Sequence, residues 1–135
     1  MKLLLDTHVI IWAITGDGRL GKENEKLILD TSNQVYFSIV SLWEIAIKNA
    51  KSPGKCPYDE RDVYENCLKS GFELLELPPE HIFTLRSLRV KPGCTLSNMD
   101  PFDRALISQA KSEGMRIMSA DSNFKYYDEA CILKI

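Results

Sequence analysis

The chain has 135 residues, 44% of them hydrophobic, with a net charge of −2 and a pI near 5.7. That length suits a single domain over residues 1–135 and leaves too little chain for a second core. The charge excludes a global basic field for nucleic acid but allows a local patch, and the dispersed Cys56, Cys67, Cys94 and Cys131, with no C-x-x-C pair, read as reduced structural thiols rather than a zinc or redox site.

Met1-Lys2-Leu3-Leu4-Leu5 opens like a signal peptide, but Asp6 and His8 break the apolar stretch and no small-residue cleavage site follows. No apolar run reaches transmembrane length, so a cytoplasmic protein with no membrane partner is expected. Leu3 to Leu5 reads as a buried strand, and Val9 to Ile14 as a short apolar helix stopped by Gly16 and Gly18. A polar helix from about Lys22 to Asp30 precedes a β-branched and aromatic strand, Val35-Tyr36-Phe37. The next helix begins near Ile39 and ends at Lys51-Ser52-Pro53-Gly54-Lys55. Asp59 to Ser70 is charged and helical, Phe72 to Leu77 suits a strand, and Pro79 opens a helix to about Leu88. Lys91 to Asn98 carries turn residues, as expected of a mobile segment beside a site. A helix from Phe102 to Glu113, closed by Gly114, leads to a strand from Arg116 to Ala120. A short helix around Asn123 to Tyr127 and a last strand, Cys131-Ile132-Leu133, complete the chain. Alternating strands and helices predict an α/β fold with a parallel sheet.

Acids recur where the chain changes direction. Asp6 and Asp121 directly follow strand-like runs, and in parallel α/β sheets such positions converge at the carboxyl ends of the strands. Asp103 lies just inside the helix opened by Asp100-Pro101. Asp at N-cap with Pro at N1 is a helix-start signature, so Asp100 reads first as a cap and second as an additional ligand. Asp6, Asp103 and Asp121 each have a local reading too, as helix caps or a first-turn acid favoured by the helix dipole. Ser41, Glu44 and Lys48 form one polar stripe on an otherwise apolar helix, either as a Glu44–Lys48 pair at i, i+4 or as a face turned to a site.

If the four carboxylates of Asp6, Glu44, Asp103 and Asp121 converge, they cannot all stay ionised unaided. Unit charges about 4 Å apart repel by roughly 4 kcal/mol at an effective dielectric near 20. Without Cys or clustered His, an all-oxygen set favours Mg²⁺ or Mn²⁺, and such ions point to phosphodiester hydrolysis. His8, two residues beyond Asp6, reads first as a packing or capping residue and second as a substrate contact, His81 as an ordinary helix residue, and Trp12 and Trp43 as core. Two other readings fit less well. A haloacid dehalogenase-type phosphatase needs a second acid where His8 stands, and a response-regulator receiver needs paired N-terminal acids where Asp6 is isolated.

The segments Leu4 to Trp12, Ser38 to Lys48, Asp100 to Ile107 and Ser119 to Asp121 resemble the PIN-domain family, and within it the VapC-type toxins of bacterial type II toxin–antitoxin systems. The resemblance spans nearly the whole chain in the right order. It implies a three-layer α/β/α fold with a central, mostly parallel sheet. It also implies a Mg²⁺- or Mn²⁺-dependent ribonuclease acting on an RNA substrate, usually a homodimer, inhibited by a cognate VapB antitoxin. The family's acids map onto Asp6, Glu44, Asp103 and Asp121, with Asp100 also in the motif. Relatives often carry His where this chain has Asn98. Basic residues such as Lys48, Arg86, Arg89 and Arg104 are expected to hold phosphates beside the acids. A non-catalytic RNA- or protein-binding module of the same fold is the alternative.

Overall fold

The computed structural model describes residues 1–95 and 99–135. Five parallel strands form one sheet: β1 (Lys2–Leu5), β2 (Gln34–Ser38), β3 (Glu73–Leu75), β4 (Arg116–Ser119) and β5 (Ile132–Lys134), in the order β3-β2-β1-β4-β5. Among the described residues six α-helices accompany them: α1 (Thr7–Thr15), α2 (Lys22–Leu29), α3 (Ile39–Lys51), α4 (Glu60–Lys69), α5 (Pro79–Thr84) and α6 (Pro101–Glu113). Short 3₁₀ turns occur at Gly18–Leu20, Leu85–Ser87 and Ser122–Tyr126.

The strands alternate sides with period two, and the core divides accordingly. Leu3, Leu5, Val35, Phe37 and Met118 face a cluster built with Val9 and Ile10 of α1, Ile28 of α2, Ile45 of α3 and Val63 and Cys67 of α4. Leu4 and Ile117 face the opposite layer, where Leu106, Ile107 and Ala110 of α6 pack with Phe124 and Tyr127. Strand order explains the two layers. The chain moves outward from β1 to β2 to β3, then returns past β1 to β4. Crossovers of one hand therefore place α1 to α4 on one face and α5 and α6 on the other. The expected α/β/α sandwich with a parallel sheet is what the chain forms.

Local chemistry sets the boundaries. Gly16 and Gly114 close α1 and α6 in the left-handed region, φ 69° and 67°. The Asp100 carboxylate accepts from the amides of Phe102 and Asp103, with Pro101 at the first helical position. The stretch expected as a strand from Phe72 to Leu77 pairs only over Glu73–Leu75, on the sheet edge, and Pro78 and Pro79 then turn the chain into α5. The helix expected from Pro79 to Leu88 is α-helical only to Thr84 and tightens to 3₁₀ over Leu85–Ser87. Part of the segment expected to be mobile, including Asn98, lies outside the described residues.

Two expectations about aromatic and histidine burial are corrected. Trp43 is 58% exposed, because α3 turns Val40, Ser41 and Ile45 inward and the indole lies off that stripe. Trp12 is half-buried, against the first core layer on one side and the Arg19 guanidinium on the other. His81 is 1% exposed and bonded to Glu113, so it is a buried polar residue of the α5–α6 contact rather than an ordinary helix position.

Candidate active site

β1 and β4 lie side by side, and the chain leaves them toward opposite layers. Such a reversal opens a crevice beyond the strand ends, the usual ligand position in open α/β sheets. A cavity of about 320 Å³ lies there, and its wall contains five carboxylates: Asp6, Glu44, Asp100, Asp103 and Asp121. Asp6 follows β1, Glu44 comes from α3, Asp100 and Asp103 open α6, and Asp121 follows β4. His8, Ile47, Lys48, Lys51, Phe102 and Asn123 complete the lining.

All of these acids except Asp103 are held by a local partner. Asp6, 3% exposed, caps α1 through the Thr7 amide and accepts a 2.6 Å hydrogen bond from the Ser119 hydroxyl through its other oxygen. Ser119 in turn accepts from the Asp121 amide at 3.0 Å, and Asp121 accepts from the Asn123 amide at 2.8 Å. Glu44 divides its oxygens between the Thr7 hydroxyl at 2.8 Å and the Lys48 ammonium at 3.0 Å. Asp103 differs: no donor reaches its carboxyl among the described residues.

The electrostatics follow from this arrangement. Burial, followed by the charges of Asp121, Asp100, Asp6 and Glu44, pushes the Asp103 carboxyl up to about 8. Burial also raises Asp6 above the ordinary aspartate value, against the opposing hydrogen bonds from Ser119 and Thr7. Burial is the largest single effect on Lys48 and works to lower it, but the hydrogen bond and charge of Glu44, joined by the charge of Asp100, together outweigh burial and leave the ammonium above its usual range. The cavity therefore holds an excess of negative charge that the protein alone relieves by keeping a proton.

That excess and the all-oxygen donor set fit a hard divalent cation. The spacing is looser than the sequence suggested. Among the described residues, no three His, Cys, Asp or Glu side chains are grouped closely enough to hold a metal ion. The reason is visible in the hydrogen bonds, since Asp6, Asp100 and Asp121 turn back to cap their own helices and Glu44 turns to Lys48.

The basic residues divide. Lys48 lines the cavity, whereas the Arg104 guanidinium is directed to the Leu85 carbonyl at 3.4 Å and the Met99 sulfur at 3.3 Å, and Arg104 is absent from the lining. Arg86 and Arg89 are exposed and also lie outside it. His8, read from the sequence first as packing or capping and second as a substrate contact, is exposed on the cavity wall, as the second reading requires. Sequence reasoning missed Lys51, although it continues the helical stripe of Glu44 and Lys48. It also missed Thr7 and Ser119 as the hydroxyls that hold Glu44 and Asp6.

Several solved structures share the fold. The chain is similar to VapBC2 from Rickettsia felis bound to a DNA fragment from their promoter, with a TM-score of 0.70 and 16% identity over 100% of this chain and 99% of that one. DNA-bound VapBC from Salmonella typhimurium gives a TM-score of 0.69 and 20% identity, covering 99% and 98% of the two chains. VapBC-5 from Mycobacterium tuberculosis gives 0.57 and 17%, covering 99% and 97%. No curated protein matches the chain by sequence. The model of the PIN domain matches residues 3–130, nearly the whole chain, and the chain belongs to the PIN-domain family.

Proposed function

We propose that this chain, a single domain over residues 1–135, is a VapC-type endoribonuclease of the cytoplasm that hydrolyses RNA phosphodiester bonds with Mg²⁺ or Mn²⁺. The observation that carries the reading is the convergence of five carboxylates on one cavity at the β1/β4 crevice, with Asp103 protonated well into the neutral range. Asp6, Glu44, Asp103 and Asp121 would hold the cation, with Asp100 as an additional ligand once it is released from its cap. When bound, the cation supplies Lewis-acid polarisation of a phosphoryl oxygen and a source of hydroxide at neutral pH.

The chain's own residues do the rest. Ser119 and Thr7 orient the Asp6 and Glu44 carboxylates through hydrogen bonds. Asp103 releases its proton as positive charge enters, because burial and the neighbouring carboxylates are what keep that proton in place. Lys48 and Lys51 stand on the wall where phosphate oxygens of a substrate would lie. The likeness to VapBC complexes supports a VapB-like antitoxin as partner; inhibition by it and a homodimeric working form are the parts of the reading that come from the resemblance of the sequence to VapC-type toxins.

One observation favours a second reading, a non-catalytic binding module. Asp6, Asp100 and Asp121 all cap helices, which is reason enough for their presence. Cleavage of total RNA by the purified wild type, Asp6→Asn and Asp103→Asn, with Mg²⁺, Mn²⁺ or EDTA, separates the two. The nuclease reading expects cleavage only by the wild type with added metal. Equal cleavage in every sample marks a contaminating nuclease, and RNA binding without cleavage marks the module.

A further inference from the structure

The Trp43 indole is 58% exposed, a conspicuous position for a large apolar ring. Phe102 meets it edge to face, with ring centroids 5.0 Å apart and planes at 80°. Phe102 lines the acid cavity, and so does Ile47, one turn along α3 from Trp43. Trp43 does not itself line the cavity, but its contact with Phe102 sets the indole beside it rather than on a remote surface. An edge-to-face contact leaves at least one of its faces uncovered by Phe102.

Two properties of the cavity define what that face meets. At about 320 Å³ the cavity is at the low end for ligand sites, so groups flanking a reacting phosphate must lie outside it. Its charge is also unfavourable for a polyanion. Lys48 and Lys51 are set against five carboxylates, and Lys48 is already paired with Glu44. Attraction for a nucleic acid here needs a component that does not depend on phosphate charge, and stacking on an aromatic face supplies one that every base can use.

We propose that Trp43 is the platform on which a nucleobase beside the reacting phosphate stacks, braced by Phe102, an inference that rests on the ribonuclease reading above. A second copy of the chain is the less fitting occupant. The cores of protein interfaces are depleted of charge, whereas Trp43 is followed directly by Glu44, itself paired with Lys48.

The test is binding of a labelled single-stranded oligoadenosine with Ca²⁺ in place of Mg²⁺, read by anisotropy for the full chain. Trp43→Ala should weaken binding about 5- to 150-fold, Trp43→Phe should recover most of it, and Trp43→Leu, apolar but not aromatic, should stay weak. In a Trp12→Phe background Trp43 is the remaining tryptophan, and its fluorescence should be quenched as the oligonucleotide binds. Wild-type affinity in Trp43→Ala overturns the proposal. So does unchanged affinity accompanied by a smaller sedimenting species, which assigns this face to a second copy. A wild type that binds no oligonucleotide fails the ribonuclease reading itself and takes the stacking platform with it.

Discussion

The Ser119 hydroxyl donates to the Asp6 carboxylate across 2.6 Å, joining the ends of two strands that are neighbours in the sheet and 113 residues apart in sequence. The same hydroxyl accepts from the Asp121 amide, so one oxygen orients the first and last acids of the cavity.

At the proposed metal site, Ser119→Ala should therefore act on the cation as well as on the fold. It removes a donor to a buried carboxylate and leaves the Asp121 amide unpaired, a loss of about 1–3 kcal/mol in stability. Removing an outer-shell partner of a metal ligand typically lowers metal affinity about 10–100-fold. Isothermal calorimetry with Mn²⁺ reads that second effect, and Ser119→Thr, which keeps the hydroxyl, should restore it. Unchanged Mn²⁺ affinity in the alanine variant would remove Ser119 from the site.

The raised Asp103 carboxyl gives a pH dependence of definite sign. With a folded-state value near 8 against 3.8 for the free side chain, the folded chain keeps a proton between about pH 4 and 8 that the unfolded chain has released. This contribution to stability is full below about pH 4 and is lost as pH rises toward 8. Without metal, the urea midpoint should fall over that interval, and Asp103→Asn should flatten the fall. Added Mg²⁺ should stabilise the wild type most at the alkaline end, where the carboxyl is free to bind it.

How much of this was legible in the sequence depends on whether a feature is local. Asp6 and Asp121 could be read because a strand end and a following cap leave a local signature, and Asp100-Pro101 marks the start of α6 within four residues. The Ser119–Asp6 bond could not be read, because it requires the register that sets Leu5 beside Met118. Trp43 was misread for a different reason. The run from Ile39 to Ile47 is apolar on most sides, so periodicity alone does not say which side the core takes, and packing chose Val40, Ser41 and Ile45. His81 was invisible as a buried residue because its partners, Gln109 and Glu113, lie on a helix beyond the next loop.

That buried network has a fixed polarity. The Val40 amide donates to Ser38 Oγ, Ser38 donates to Gln109 Oε1, and Gln109 Nε2 donates to the Glu76 carbonyl at 2.9 Å. A carbonyl only accepts, so the amide cannot be reversed, and the 3.2 Å contact from Gln109 Nε2 makes His81 Nδ1 an acceptor. The proton then sits on Nε2, directed at Glu113 across 2.7 Å. ¹⁵N NMR should find the neutral His81 ring as the Nε2–H tautomer. Gln109→Glu, nearly the same shape but unable to donate when ionised, should cost about 1–3 kcal/mol at pH 8 and less at pH 5. Equal urea midpoints for wild type and variant at both pH values would mean that the network contributes nothing to joining α6 to β2 and α5.

The two lysines of the cavity should separate by task. Lys48 is 3.0 Å from Glu44 and is engaged before any substrate arrives, whereas no ion pair holds Lys51 among the described residues. In RNA binding, a lysine that neutralises a phosphate releases counterions, and its loss reduces the salt slope by about 1. Lys51→Met should show that reduction with little change in Mn²⁺ affinity. Lys48→Met frees a carboxylate oxygen of Glu44, so it should tighten Mn²⁺ binding while changing the salt slope less. Measuring oligonucleotide affinity across a salt series for both variants, beside Mn²⁺ calorimetry, decides the matter. The reverse pattern, with Lys48 carrying the salt slope and Lys51 controlling the cation, would mean that the Glu44–Lys48 pair opens when RNA binds and that the free-state geometry does not describe the loaded site.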